Sequence, residues 1–328
     1  KALAVLTDRG LSDPAALQHV ITLIDAQVDP PIPLLMVRAT PFTRDDALSI
    51  GAVARQVGFT PLFLPGVYAQ PPLDAVAAGE RGFDAVIAAA DDNLAPVADN
   101  RPFFYHFEHG LPALLTNLLL GLLALVAIGG SAVAWGVGRL TASPALRRSP
   151  IYFAGLGAGF MLVEIALIQQ TRLLIGHPSV TLAVVLGVLL VGGGAGSLLF
   201  GRMRTAQDFS AARSALTAIM ALVVLWSLFW PALQQVGLAW QLPARLLLVA
   251  AAMLPLALCM GAPFSLGLRA LGSDHARLVA LAWAVNGVFS VVGAAAGLAL
   301  AMLLGYQAVL LTGAVAYGVA LVGMTNDE

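Results

Sequence analysis

The sequence predicts a mainly α fold: a polytopic membrane bundle of about seven transmembrane helices, preceded by a small α/β segment. Three observations carry this. Of 328 residues, 59% are hydrophobic and only 11% charged, where a soluble domain carries roughly 25% charged residues. The charges are also unevenly spread. Residues 1–110 hold 7 of the 17 Lys and Arg and 13 of the 18 Asp and Glu, a net of −6, whereas residues 111–328 carry a net of +5 on only 15 charged residues. Finally, the second part consists of uncharged runs long enough to span a hydrocarbon core, which takes about 20 residues in a helix. The domain boundary therefore falls between residues 1–110, in water, and 111–328, in lipid.

Within residues 1–110, Leu34-Leu35-Met36-Val37 suits a buried strand. Thr43 is a fitting N-cap with Asp46 as the acid three positions on, and Ile50, Val53, Ala54 and Val57 follow at helical spacing until Gly58 closes the helix. Pro61-Leu62-Phe63-Leu64 reads as the next strand, ended by Pro65-Gly66, and Leu73 to Ala78 as a short helix. So few strands leave at least one sheet edge open, which fits either a small domain or part of a larger sheet. The first residue is Lys, and no signal peptide opens the chain, which leaves room for a preceding portion of the same protein.

Residues 111–138 carry no charge and form the first span. Further spans fit at about 151–171, 179–200, 214–233, 245–267, 278–304 and 307–324. The last two are separated only by Gly305-Tyr306-Gln307, but one element of that length is far too long for a single crossing. Pro255 and Pro263 kink the fifth span, and Gly261-Ala262-Pro263-Phe264 has the composition of a broken helix lining a cavity. Arg139, Arg147, Arg148, Arg202, Arg204, Arg213, Arg269 and Arg277 fall in alternate loops, against Arg172 and Arg245 in the others. Eight against two puts the C-terminus in the cytoplasm of an inner (plasma) membrane protein; the same pattern favours an extracytoplasmic side for residues 1–110, whereas a nucleoside-using domain is expected in the cytoplasm, so their side stays open.

Glu164 is the sharpest candidate for chemistry. It lies in the middle of the second span, where an ionised carboxylate costs several kcal/mol unless paired, hydrated or protonated. It reads as an ion or proton site or a contact to a polar ligand; the structural alternative is a neutral acid hydrogen-bonded to a neighbouring helix. Asn286, His177 and Arg172 are the expected partners, and together the four make a candidate intramembrane polar site. Asn286 alone is also explained by interhelical hydrogen bonding, and Gln169 and Gln170 by a position near a membrane face. Gly155, Gly157, Gly159, Gly192, Gly193, Gly194, Gly196, Gly293 and Gly297 form small-residue patterns that let helices approach closely. No catalytic residue, cofactor loop or metal set stands out. His106 and His109 flank Glu108, a weak metal pattern better read as juxtamembrane polarity, and the single cysteine, Cys259, has no partner within the chain. No basic-aromatic pattern points to nucleic acid.

Several stretches resemble the C-terminal part of bacterial membrane proteins of a spermidine synthase-like family, with major-facilitator-like helices. They are Val37 to Thr43, Phe63-Leu64-Pro65-Gly66, Pro96 to Tyr105, Tyr152 to Arg202 (including Gly176-His177-Pro178), Gly261 to Phe264 and Trp283 to Gly287. The resemblance implies that residues 1–110 are the tail end of a Rossmann-like aminopropyltransferase or methyltransferase-type domain. The loop for an S-adenosylmethionine-type ligand and the catalytic acid would then precede Lys1, so the ligand belongs to a full-length protein and this chain alone is not expected to be an enzyme. The leading expectation is a membrane-embedded portion that anchors or couples a polyamine-synthase-type domain to the bilayer. The alternatives are a transporter-like bundle with a polar site at Glu164 and Asn286, and a structural or assembly protein.

Overall fold

The computed structural model describes residues 2–104, 106–140, 148–202, 208–271 and 276–324. Arg147 and Arg204, two of the arginines counted for orientation, and Tyr105 lie outside the described residues. The chain divides into two compact units, one of Lys1–Ala98 with Phe103–His109, the other of Asp99–Pro102 with Gly110–Glu328.

The first unit contains α1 (Ala2–Asp8), α2 (Asp13–Leu17), β1 (Val20–Asp25), β2 (Ile32–Val37), α3 (Arg44–Gln56), β3 (Thr60–Leu64), β4 (Tyr68–Ala69), α4 (Leu73–Ala77) and α5 (Phe83–Ala88). Its sheet runs β2-β1-β3-β4 with every pairing antiparallel. One core joins Ile21, Leu23 and Leu64 to Ala47 and Ala54 of α3, and another joins Leu17, Phe63 and Val76. Strand β1 is covered on both faces, which is why it lacks the polar alternation that reveals a half-exposed strand. On β2, by contrast, Ile32, Leu34, Leu35 and Val37 are exposed along an open edge.

The turn into α3 is held by its own side chains. The Asp46 N–H donates to Thr43 Oγ1 at 3.1 Å and the Thr43 N–H to Asp46 Oδ2 at 2.9 Å, a reciprocal capping box. Arg38 lies 4.4 Å over the Phe42 ring, donates to Thr40 O and pairs with Asp46 at 2.9 Å. Gly58, with φ +90°, ends the helix in the left-handed region.

The second unit is α6 (Ala113–Leu140), α7 (Ser149–Ile175), α8 (Pro178–Gly201), α9 (Asp208–Gly237), α10 (Leu242–Met260), α11 (Ala262–Leu271), α12 (Ala276–Leu304) and α13 (Tyr306–Gly323). With α10 and α11 forming one broken span, seven helical segments are long and apolar enough to cross a membrane. The chain is a multi-pass membrane protein. Spans two to five extend past their sequence-based limits by a few residues at both ends, because helices continue beyond the hydrocarbon edge, whereas the first begins at Ala113 and the last ends at Gly323. Gly305 (φ +90°) separates α12 from α13, so the long uncharged run is two crossings.

Helix α7 is the centre of the bundle and packs on α12 and α13; α8 packs on α10, α9 on α10, α11 and α13, and α6 on α12. Glycines set the distances. An alanine methyl at Gly196 would lie 1.9 Å from Leu258 O, and one at Gly157 would lie 2.2 Å from Asn286 O. The helix breaks at Gly261, as its composition predicts, and α8 closes on the break. The Gly193 backbone fills the space, lying within 2.7 Å of where a Gly261 methyl would stand.

Candidate functional site

Glu164 sits at the middle of α7, half-buried among residues that contact α12 and α13. Its neighbour Val163 packs against Gly313, while Leu162 and Ile165 reach Gly297. The Tyr317 ring lies across Gly159, one turn before Glu164, and its buried phenol is within electrostatic reach of the Glu164 carboxyl. Among the described residues no hydrogen bond or ion pair engages that carboxyl. An acid at mid-depth without such a partner is accommodated by taking up a proton, binding a cation or keeping water around it.

The expected four-residue constellation is not assembled. Asn286 Nδ2 donates to Phe153 O at 3.2 Å, and Ser290 Oγ donates to Asn286 O at 2.9 Å. This fixes Asn286 opposite Gly157, seven residues and thus about 10 Å along the axis from Glu164. The reason is the absence of a Cβ at Gly157, which lets the Asn286 backbone seat there. His177 is the exposed N-cap residue of α8, its carbonyl accepting from Thr181. Arg172 is exposed near the end of α7, eight residues or about 12 Å along that helix from Glu164, within electrostatic reach of Tyr306. Tyr317 on α13, a residue that sequence reasoning passed over, is a buried polar group within electrostatic reach of Glu164. Its sequence-level signal is a tyrosine in the middle of an apolar span.

A second polar network also escaped the sequence. Trp226 Nε1 donates to Gln170 Oε1 at 2.8 Å, and Trp230 Nε1 donates to Gln170 O at 3.3 Å, with the two indoles stacked 4.3 Å apart. The i, i+4 spacing of the tryptophans was the available clue. Gln170 is thus an interhelical anchor in addition to lying near a helix end. Nearby, Gln307 Nε2 donates to Ser227 Oγ at 3.1 Å.

Residues Asp99–Pro102, from the stretch Pro96 to Tyr105, have a defined task within the helical unit. Asn100 O accepts from the Tyr306 N–H at 2.9 Å and Asn100 Oδ1 from the Gln307 N–H at 2.8 Å. Gly305, the N-cap position of α13, has no side chain to do this, so Asn100 supplies the cap from 207 residues away. Arg101 Nη2 donates to Met302 O at 2.8 Å, at the end of α12. Other arginines do the same for other C-termini. Arg245 donates to Leu174 O at 3.0 Å, and Arg269 to Gly201 O at 2.6 Å.

Tyr152 donates to Pro263 O just past the break between α10 and α11, and edge-on ring contacts run from Tyr152 through Phe153 and Phe264 to Trp283. Among the described residues no group of three His, Cys, Asp or Glu side chains is placed to hold a metal. The chain matches no family model, no curated protein and no solved structure.

Proposed function

We propose that the helical unit is a transporter-like bundle in which Glu164 binds a proton or a small cation at mid-membrane, beside Tyr317. The observation carrying this reading is a half-buried carboxyl that has no hydrogen-bond or ion-pair partner among the described residues, at the centre of the central helix. Once its charge is balanced by a proton or cation it can remain in lipid; stripped of both, it costs several kcal/mol. Flanking α12 and α13 pack on α7 through glycine contacts, at Gly293, Gly297 and Gly313, that can slide more readily than interlocked large side chains. The test is Glu164→Gln in proteoliposomes, with proton flux followed by an internal pH-sensitive dye under an imposed gradient. Loss of flux, with unchanged elution and helical content, is the expected result. Flux equal to that of the unmodified protein removes the reading.

A second reading starts from the resemblance of Val37 to Thr43, Pro96 to Tyr105 and Tyr152 to Arg202 to spermidine synthase-like membrane proteins. In this reading the bundle anchors a polyamine-synthase-type domain, of which residues 1–110 form the last part, and the S-adenosylmethionine-type ligand sits on residues preceding this chain. Binding of decarboxylated S-adenosylmethionine by the present chain alone would refute that arrangement. For sidedness, Arg269 and Arg245 are committed to helix ends; setting both aside leaves seven arginines against one, still favouring a cytoplasmic C-terminus in the inner membrane.

A further inference from the structure

Helix α6 departs from the rest of the bundle. None of its apolar window is buried, and it packs on α12. Where the two meet they do not fill the space between them. Ala132, Gly136, Ala280 and Ala284 are too small to interdigitate, and a groove of about 450 Å³ remains. Its walls are apolar apart from Arg277, and water has almost nothing to bond to there. The groove runs from Arg277 to Ala284, about 10 Å along α12, out of a leaflet of about 15 Å. Trp135, 65% exposed and adjacent to Gly136, is the residue type that marks headgroup depth.

Arg277 decides the occupant. It is the second residue of α12, exposed, at the mouth of the groove, and among the described residues it has no hydrogen bond or ion pair. Arg101, Arg245 and Arg269 are by contrast bonded to backbone carbonyls. We infer that the α6–α12 groove is a binding site for an anionic phospholipid, with its phosphate on Arg277 and one acyl chain along Gly136, Ala280 and Ala284. A zwitterionic lipid gains the same apolar contact, but its positive group offsets the charge complementarity. This site is separate from Glu164 and stands whether or not that residue carries a proton.

The experiment is native mass spectrometry of the full chain from micelles holding equal phosphatidylglycerol and phosphatidylcholine. One arginine near a surface favours an anionic lipid by ~1 kcal/mol, so retained phosphatidylglycerol should exceed phosphatidylcholine about fivefold. Arg277→Ala should bring that ratio to about one, and Arg277→Lys should restore it. Gly136→Leu should remove both adducts, and it should fold, because nothing lies within 4 Å of a methyl at Gly136. A ratio near one in the unmodified protein, a ratio unmoved by Arg277→Ala, or adducts that survive Gly136→Leu would overturn the inference. So would a dimer abolished by Gly136→Leu, since a second copy would then be the occupant.

Discussion

Two glycines two residues apart on α8 should respond to alanine with opposite signs. At Gly196 the added methyl lies 1.9 Å from Leu258 O, whereas at Gly194 nothing lies within 4 Å. Ordinary contact begins near 3.4 Å, so α8 and α10 must part by about 1 Å or more to accept Gly196→Ala. A gap of that size forfeits up to half the well of each facing atom pair, at ~0.1–0.2 kcal/mol per pair. Taking about 40 pairs at the crossing, the contact number of one buried leucine, the loss is about 3 kcal/mol, at the upper end of measured overpacking costs. Gly194→Ala meets no obstacle and should lie between neutral and ~1 kcal/mol stabilising, through helix propensity alone. The assay is unfolding of the purified chain in mixed micelles with increasing SDS fraction, followed by tryptophan fluorescence. If the two variants unfold within ~0.5 kcal/mol of each other, the close approach of α8 and α10 is wrong.

Asn100→Ala should lower stability by about 1 kcal/mol and speed amide exchange at Gln307, while Asn100→Asp, which keeps the acceptor and adds a charge favourable to a helix N-terminus, should restore both. Trp226→Phe should cost about 1 kcal/mol in the same micelle unfolding assay through the lost bond to Gln170, and Gln170→Leu on that background should add little further loss. In the first unit, the Thr43 backbone N–H, the Thr43 hydroxyl and the Arg38 guanidinium hold the Asp46 carboxyl below its ordinary value. A depressed carboxyl stabilises the fold above its unfolded value, about 3.9, and the contribution disappears as pH falls through the lower folded value. An NMR titration of the Asp46 carboxyl carbon should therefore give a midpoint below that of a free aspartate; a midpoint at or above it would contradict the capping geometry.

The spans were legible because lipid imposes a single long rule on sequence, and Gly261-Ala262-Pro263 announced its break through local chemistry. The Thr43–Asp46 capping box was legible for the same reason, since all its partners lie within four residues. Strand β1 was not, because a strand covered on both faces has no alternation to read. Glu164 was found as a charge in the wrong solvent, but its surroundings were not. Asn286 bonds to a carbonyl 133 residues away and Gln307 to a side chain 207 residues away, and no periodicity records such a pairing. The arginines illustrate a further limit. A count of loop charges treats them as equivalent, yet Arg245 and Arg269 serve helix ends while Arg277 has no partner among the described residues.

The Asn100 cap also bears on the order of synthesis. Its acceptors precede the first crossing, but their donors, Tyr306 and Gln307, begin the last one. A ribosome must therefore synthesise the chain through Gln307 before this bond can close. A nascent chain arrested before residue 306 would leave Asn100 without these donors, and closure of the clasp would report that α12 and α13 have come together.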